Sequence, residues 1–154
     1  MAACAPERIV AVKHYRCVED DYDTSSRLPR AAEPVLNRMA AALDGSHYCV
    51  MLADRDARIV ATRWGSPRMR SVFELLGEAL HGTVFREETT GTNSLATTYE
   101  LRRAVAVHGD EHYIAQLHGF SCHGHPIIDP HTRGDRPLRR CHGGGVLRQL
   151  RRAG

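Results

Sequence analysis

An α+β fold with mainly antiparallel pairing is what this sequence predicts, and three observations carry the prediction. Tyr48–Ala53 and Arg58–Trp64 are two short strand-like runs joined by the turn Asp54-Arg55-Asp56-Ala57, the pattern of a hairpin. Leu28–Leu43 places Val35, Leu36, Met39 and Leu43 on one helical stripe. The remaining signals then alternate between short helices and short strands, without the regular strand–helix repeat of a parallel α/β sheet.

In chain order, residues 1–24 show no sustained period and an acidic cluster, Glu19-Asp20-Asp21 with Asp23. They read as a loose lead-in with one helical stretch near Val12–Val18. The helix over Leu28–Leu43 has Pro29 or Pro34 for its first turn and Gly45 as its stop. Ser66-Pro67 is an N-cap followed by a first-turn proline, with Met69, Val72, Phe73 and Leu76 along one face and Gly77 and Gly82 ending the pattern. Asn93 caps a short helix over Ser94–Leu101. Ala104–Val107 is a strand, Asp110–Leu117 a helix closed by Gly119, and Phe120–Ile128 a strand ended by Asp129-Pro130.

The 154 residues suffice for one domain with its own core. No run approaches the length of a membrane span, and the N-terminus lacks the layout of a signal peptide, so a cytoplasmic protein is expected. The five cysteines are scattered, with no C-x-x-C, which indicates neither a disulfide framework nor a zinc clip. The net charge of +3 is unevenly spread: seven arginines and one aspartate lie from Arg133 onward. The body before it is mildly acidic, which argues against a nucleic-acid-binding face.

The densest information runs from Glu87 to Cys122. Glu88, Gly91-Thr92-Asn93, the strand Val105–Val107 and Gly109-Asp110-Glu111-His112-Tyr113 come first. His118-Gly119-Phe120-Ser121-Cys122 and Pro126-Ile127-Ile128-Asp129-Pro130 follow. In this order they resemble the GAF sensor domain of sigma-54-dependent transcriptional activators of the acetoin-catabolism type. Upstream, Ala31–Leu36, Tyr48–Asp54 and Trp64-Gly65-Ser66-Pro67 extend the likeness over roughly residues 25–133. The resemblance implies a GAF/PAS-like central antiparallel sheet flanked by helices. It also implies a non-catalytic regulatory role without a cofactor, in which a small organic ligand such as a hydroxyketone or diol is sensed. The ligand is expected to contact Phe85, Glu88, Thr92, Asn93, His112, Tyr113, His118, Phe120 and Cys122. Glu88 is expected to accept hydrogen bonds that shape the loop before Gly91. GAF domains often pair through their terminal helices, so the resemblance allows a homodimer without fixing the oligomeric state.

The sequence departs from that family at two places. Phe85 stands where the family usually has tryptophan. After Asp129-Pro130 the family continues with a strand resembling Leu-x-Gly-Val-Leu-Asp and then a helix, whereas this chain has the Arg- and Gly-rich run 134–154. The expectation is therefore that the last strand and the C-terminal helix are lost or altered, and the Arg- and Gly-rich composition suggests a reading-frame change near Arg133 as the cause. No ATPase or DNA-binding module is recognisable.

Two other chemistries compete with the sensor. Cys122 could act as a reactive thiol, with Cys49 the resolving partner nearest in the core, in a redox sensor or methionine sulfoxide reductase-like protein. His118, Cys122, His123 and His125 form a cluster of soft ligands, but on a strand Cys122 and the pair His123/His125 belong to opposite faces, poor geometry for a closed site. His108 and His112 have helical metal-ligand spacing, interrupted by Gly109.

Overall fold

The computed structural model describes residues 27–75, 81–128 and 141–150, the last by its backbone. The expectations for 1–24, for Leu76 and Gly77, and for 129–140 lie outside the described residues. Element by element, α1 is Arg27–Ala42, β1 Tyr48–Ala53, β2 Ile59–Trp64, α2 Pro67–Leu75, α3 Glu87–Thr90 and α4 Ser94–Leu101. Then come β3 Val105–His108, two 3-10 turns at Gly109–Glu111 and Ala115–Leu117, β4 Phe120–Ile128 and β5 Cys141–Leu150. The strands form one sheet in the order β2-β1-β5-β4-β3, with every neighbouring pair antiparallel.

Of the two alternatives expected for the last strand, lost or altered, β5 removes the first: a strand of altered sequence is present. It lies at the centre of the sheet, pairing Tyr48–Ala53 on one side and Phe120–Ile128 on the other. The physical reason is that strand ladders are built from backbone groups, so a Gly-rich stretch can complete them wherever two open edges face each other. Residues 141–150 therefore share the sheet with β1 and β4.

Local chemistry accounts for most of the other boundaries. Asp54 Oδ1 accepts from the amides of Asp56 and Arg58 at 2.8 and 3.0 Å, closing the hairpin turn. Ser66 Oγ accepts from Met69 N at 3.3 Å at the head of α2. Pro34 lies inside α1 rather than in its first turn, and Pro29 occupies the start. The helix therefore forgoes one backbone hydrogen bond at Pro34. The expected stripe on α1 is also shifted. Leu36 is buried with Leu28, Ala32 and Leu43 packed around it, while Val35 and Met39 are exposed. The single helix expected over Asp110–Leu117 is instead two 3-10 turns, because Gly109 takes a φ of 53° and the backbone at His112 is extended.

The pleat of β1 divides the core into two layers. Val50 and Leu52 face α1 together with Leu36 and Val60. Cys49, Met51 and Ala53 face the opposite side, where Met69, Phe73, Phe85, Leu95, Leu117, Phe120 and Cys122 pack on them. Phe73 links this layer internally, with ring centroids 5.3 Å from Trp64 and 5.0 Å from Phe120.

α4 lies directly on β4 because position 124 is a glycine. A Cβ there would stand 2.2 Å from Thr98 Oγ1 and 2.5 Å from the Ser94 carbonyl oxygen. Thr98 can rotate away, but the Ser94 backbone cannot. Gly124→Ala should therefore lever α4 off the sheet and cost about 2 kcal/mol, in the range for overpacking a core. Urea unfolding of the variant measures this, and a change below about 0.5 kcal/mol, the scale of ordinary surface substitutions, would show that the helix gives way freely.

Candidate functional site

On the α4 side of the sheet, the loops on either side of α4 converge on a polar cluster within an otherwise apolar layer. Thr90, Asn93, Ser94, Thr98 and His112 are all buried there. The sequence builds this cluster in steps. Arg86 begins a short turn in which Thr89 Oγ1 accepts from Arg86 N at 3.1 Å and Thr90 Oγ1 donates to Arg86 O at 2.8 Å. Gly91 then takes a φ of 58°, and a Cβ at this position would lie 2.3 Å from Cγ of Tyr113. Only glycine allows this turn and lets the loop holding Tyr113 close against it.

Asn93 locks the turn to α4. Its Oδ1 accepts from Leu95 N and Ala96 N, each at 3.0 Å. Its Nδ2 donates to Thr90 Oγ1 at 2.8 Å and Gly91 O at 2.9 Å. Two donors and two acceptor positions are the full capacity of an asparagine amide. Asn93 thus caps and braces, and has no polar group left for a ligand.

The second loop is fastened by backbone and ring contacts. Tyr113 N donates to Thr92 O at 2.9 Å. His112 Nδ1 lies 2.9 Å from Gly109 O, and His118 Nε2 lies 3.0 Å from His112 O. Glu111 Oε2 accepts from His108 N at 2.6 Å. Outside the cluster, the guanidinium groups of Arg86 and Arg102 stand 5.1 and 4.9 Å from the ring centroid of Tyr99, joining the first loop to the end of α4.

The residues expected to line a ligand site therefore fall into separate environments. Phe85, Phe120 and Cys122 are packed in the apolar layer. His112 and Asn93 are buried in the polar cluster beside it. Thr92 is half-buried at the turn, while Tyr113, at 73% exposure, and His118 lie at its outer edge. Glu88 is exposed, and the carboxylate that reaches the loop is that of Glu87, whose Oε1 is 3.5 Å from Thr92 Oγ1.

Ser94 and Thr98 belong to the site and were not anticipated from the sequence. They are 1% and 4% exposed, and neither hydroxyl has a hydrogen-bond partner among the described residues. Their spacing of four along α4 opposite Gly124 is the signal that could have identified them, since such a pair shares one helix face.

The alternative chemistries fare differently. Cys49 and Cys122 are both fully buried, and both are register partners of Arg148, one from each flanking strand. Two strand spacings therefore separate them, about 10 Å, beyond the reach of a disulfide without backbone movement. Neither thiol meets solvent as a catalytic or sensing thiol must. The soft-ligand cluster divides as the strand pleat requires: Cys122 faces the core, and His123 and His125 are exposed on the other side. His108 and His112 do not converge, because His112 is turned to Gly109.

Two clefts are formed by described residues. One, of about 610 Å³, lies between α1 and the β1, β3 and β4 surface, and the other, of about 520 Å³, between α1, β2 and α2. None of the residues expected to contact a ligand lines either.

Comparison with known proteins bears on these observations. The profile of the family described as "MimR, N-terminal domain" matches residues 5–139. The chain is 35% identical over 113 residues to the propane 2-monooxygenase operon transcriptional activator MimR of Mycolicibacterium smegmatis, covering 73% of this chain and 19% of that protein. The MimR protein of Mycolicibacterium goodii is 33% identical over the same length. The chain thus spans about a fifth of the length of these relatives. Among solved structures, the crystal structure of the E. coli DhaR(N)-DhaL complex contains a chain of the same fold. It has a TM-score of 0.65 and 20% identity, over 84% of this chain and 44% of that one.

Proposed function

The chain belongs to the MimR N-terminal-domain family, and from that premise we propose that it is a ligand-sensing regulatory domain of a bacterial transcriptional activator. In this reading it is a GAF-type sensor of the sigma-54-dependent class, acting in the cytoplasm. It binds a small organic molecule bearing a hydroxyl or carbonyl group and performs no chemistry on it.

One observation carries the reading: two buried hydroxyls, Ser94 Oγ and Thr98 Oγ1, have no hydrogen-bond partner among the described residues, within a layer that is otherwise apolar. A buried polar group left unpaired costs about 1–3 kcal/mol. A ligand oxygen supplying the missing hydrogen bonds recovers that cost only in the arrangement it fits. The ligand therefore favours one arrangement of α4 on β4 over another. Phe85, Phe120 and Cys122 supply apolar surface, and Thr92, His112, Tyr113 and His118 the adjoining polar edge. Asn93 holds the turn in place, so it positions the site without touching the ligand.

The test is a thermal-melt series with small diols, hydroxyketones and simple ketones. A binding compound should raise the melting temperature, since ligand at a hundred times its Kd stabilises by about 2.7 kcal/mol. In Ser94→Ala/Thr98→Val the response should disappear. The unliganded stability should stay within about 1 kcal/mol, because both unpaired groups are removed together with their cost. A response of the same size in the double variant would refute this site. No response to any compound of these classes would refute the ligand chemistry.

A further inference from the structure

On the α1 face of the sheet we propose a second small-molecule site: the cleft between α1 and β4 holds the alkyl chain of a linear carboxylate, whose charged end is met by His123 and His125. This inference is independent of the sensor reading, since it uses the other side of β4. The hollow originates in the glycines of β5. Gly145 is paired with Leu52 of β1 and with His125 of β4, and Gly143 with Ile127. Residues directly opposite share a face, and so do alternate residues along a strand. Leu52 packs toward α1 with Leu36, so positions 143 and 145 lie on that face and place no side chain on it. α1 itself packs on the β1–β2 half of the sheet. What remains between α1 and β4 is the cleft of about 610 Å³, a volume ordinary for small-ligand sites.

The cleft selects both parts of the ligand. Its walls are Val35 and Met39 from α1, Val105 and Ala106 from β3, and Ile127 from β4. Val35, Met39 and Ile127 are large apolar side chains left exposed, so covering them with an alkyl chain is favourable. From His123 to Ile127 the cleft runs about 13 Å along β4, four strand spacings, long enough for a chain of roughly ten carbons. Among the described residues that line it, the polar side chains are those of His123 and His125, and none is acidic. An imidazole is neutral or positive, never negative. A carboxylate therefore gains a charge-assisted hydrogen bond there, whereas a cationic head group finds no counter-charge. His108 steadies this end, its ring edge to face with that of His123 at a centroid distance of 5.3 Å.

Calorimetric titration of the full chain with hexanoate, octanoate and decanoate, each below its micelle concentration, tests the site. Binding should be saturable and one-to-one, and should tighten about fourfold per added methylene, the gain from burying each one. Octanoate should bind about tenfold more tightly than octanol, the scale of a hydrogen bond to a charged group, and His123→Gln/His125→Gln should abolish that preference. Gly145→Val places a side chain in the hollow and should weaken octanoate binding at least about tenfold, by displacing about two methylenes. Met39→Glu, at an exposed helix position, should bring a similar loss through like-charge repulsion. It keeps the test decisive if Gly145→Val fails to fold, which circular dichroism checks. Ser94→Ala/Thr98→Val, on the other face, should bind octanoate like the parent. The proposal falls if binding is absent or insensitive to chain length, or if it survives Met39→Glu unchanged. It also falls if the Ser94/Thr98 variant loses it, which would place the carboxylate at the sensor site. Sedimentation with phosphatidylglycerol vesicles, without binding of monomeric octanoate, would assign the cleft to a membrane surface and overturn the proposal as well.

Discussion

A chain cut after Arg140 is expected to lose its cooperative fold altogether. β5 is the strand through which the β1–β2 hairpin and the β3–β4 pair become one sheet. Its register pairs it with six residues of β1 and reaches from Phe120 to Ile128 on β4. Removing it leaves two central edges with unpaired backbone groups where water has little access. Each such group costs free energy comparable to a lost hydrogen bond. Domains have only about 5–15 kcal/mol of stability in total, so a deficit of this kind exceeds what the remaining contacts supply. Circular dichroism melts and amide dispersion in NMR spectra would measure it. A truncated chain that melts cooperatively within a few degrees of the parent would show that the sheet does not depend on β5. Val146→Pro in the full-length chain gives an independent measure. Position 146 pairs with Met51 on one side and Gly124 on the other. A proline in a central strand removes a ladder donor and should also be severely destabilising.

That dependence also explains which parts of the fold could be read from the residues. β1, β4 and α4 were legible to their terminal residues, because each is delimited by local signals: an apolar run between turn residues, or Asn93 ahead of a short helix. β5 was not. Its Gly143-Gly144-Gly145 run has low strand propensity and its arginines suggest a solvated tail. Only the partners on both sides make it a strand. A trace was present all the same: Gly145-Val146-Leu147 carries the Gly-Val-Leu portion of the strand the resemblance called for, set further from Asp129-Pro130 than expected. The family match ends at residue 139, just before it. The expectation of a reading-frame change near Arg133 rested on the Arg- and Gly-rich composition as well as on the departure from the family's last strand, and sequencing the gene for one inserted or lost base tests it.

At the site, the asymmetry is similar. Gly91-Thr92-Asn93 was legible as a glycine turn with a cap, because both roles depend on neighbouring backbone. Whether Asn93 also faced a ligand depended on how many of its hydrogen bonds the fold consumed, which only the three-dimensional arrangement decides. Ser94 and Thr98 were missed for the opposite reason. Small polar residues on a short helix ordinarily mark a solvated face, and their burial follows from Gly124, some thirty residues away, admitting α4 to close contact with β4.

Asn93→Ala is expected to destabilise the domain by about 3 kcal/mol, combining a lost helix cap of roughly 1 kcal/mol with the buried partners it strands. The stranded groups are identifiable: the amides of Leu95 and Ala96 lose their acceptor, and Thr90 Oγ1 and Gly91 O lose their donor. For a domain of this size the melting temperature should fall by roughly 10 °C. Asn93→Asp separates the two halves of the effect. An aspartate keeps the acceptor at the head of α4, where a negative charge is favourable, but has no Nδ2 to donate. It should therefore recover the cap and show an intermediate loss. The same variant distinguishes bracing from ligand contact. If Asn93 only holds the turn, Asn93→Asp should keep a ligand-induced rise in melting temperature close to the parent's, while Ser94→Ala/Thr98→Val loses it. Loss of the ligand response in Asn93→Asp, with most of its stability retained, would mean that the asparagine touches the ligand after all.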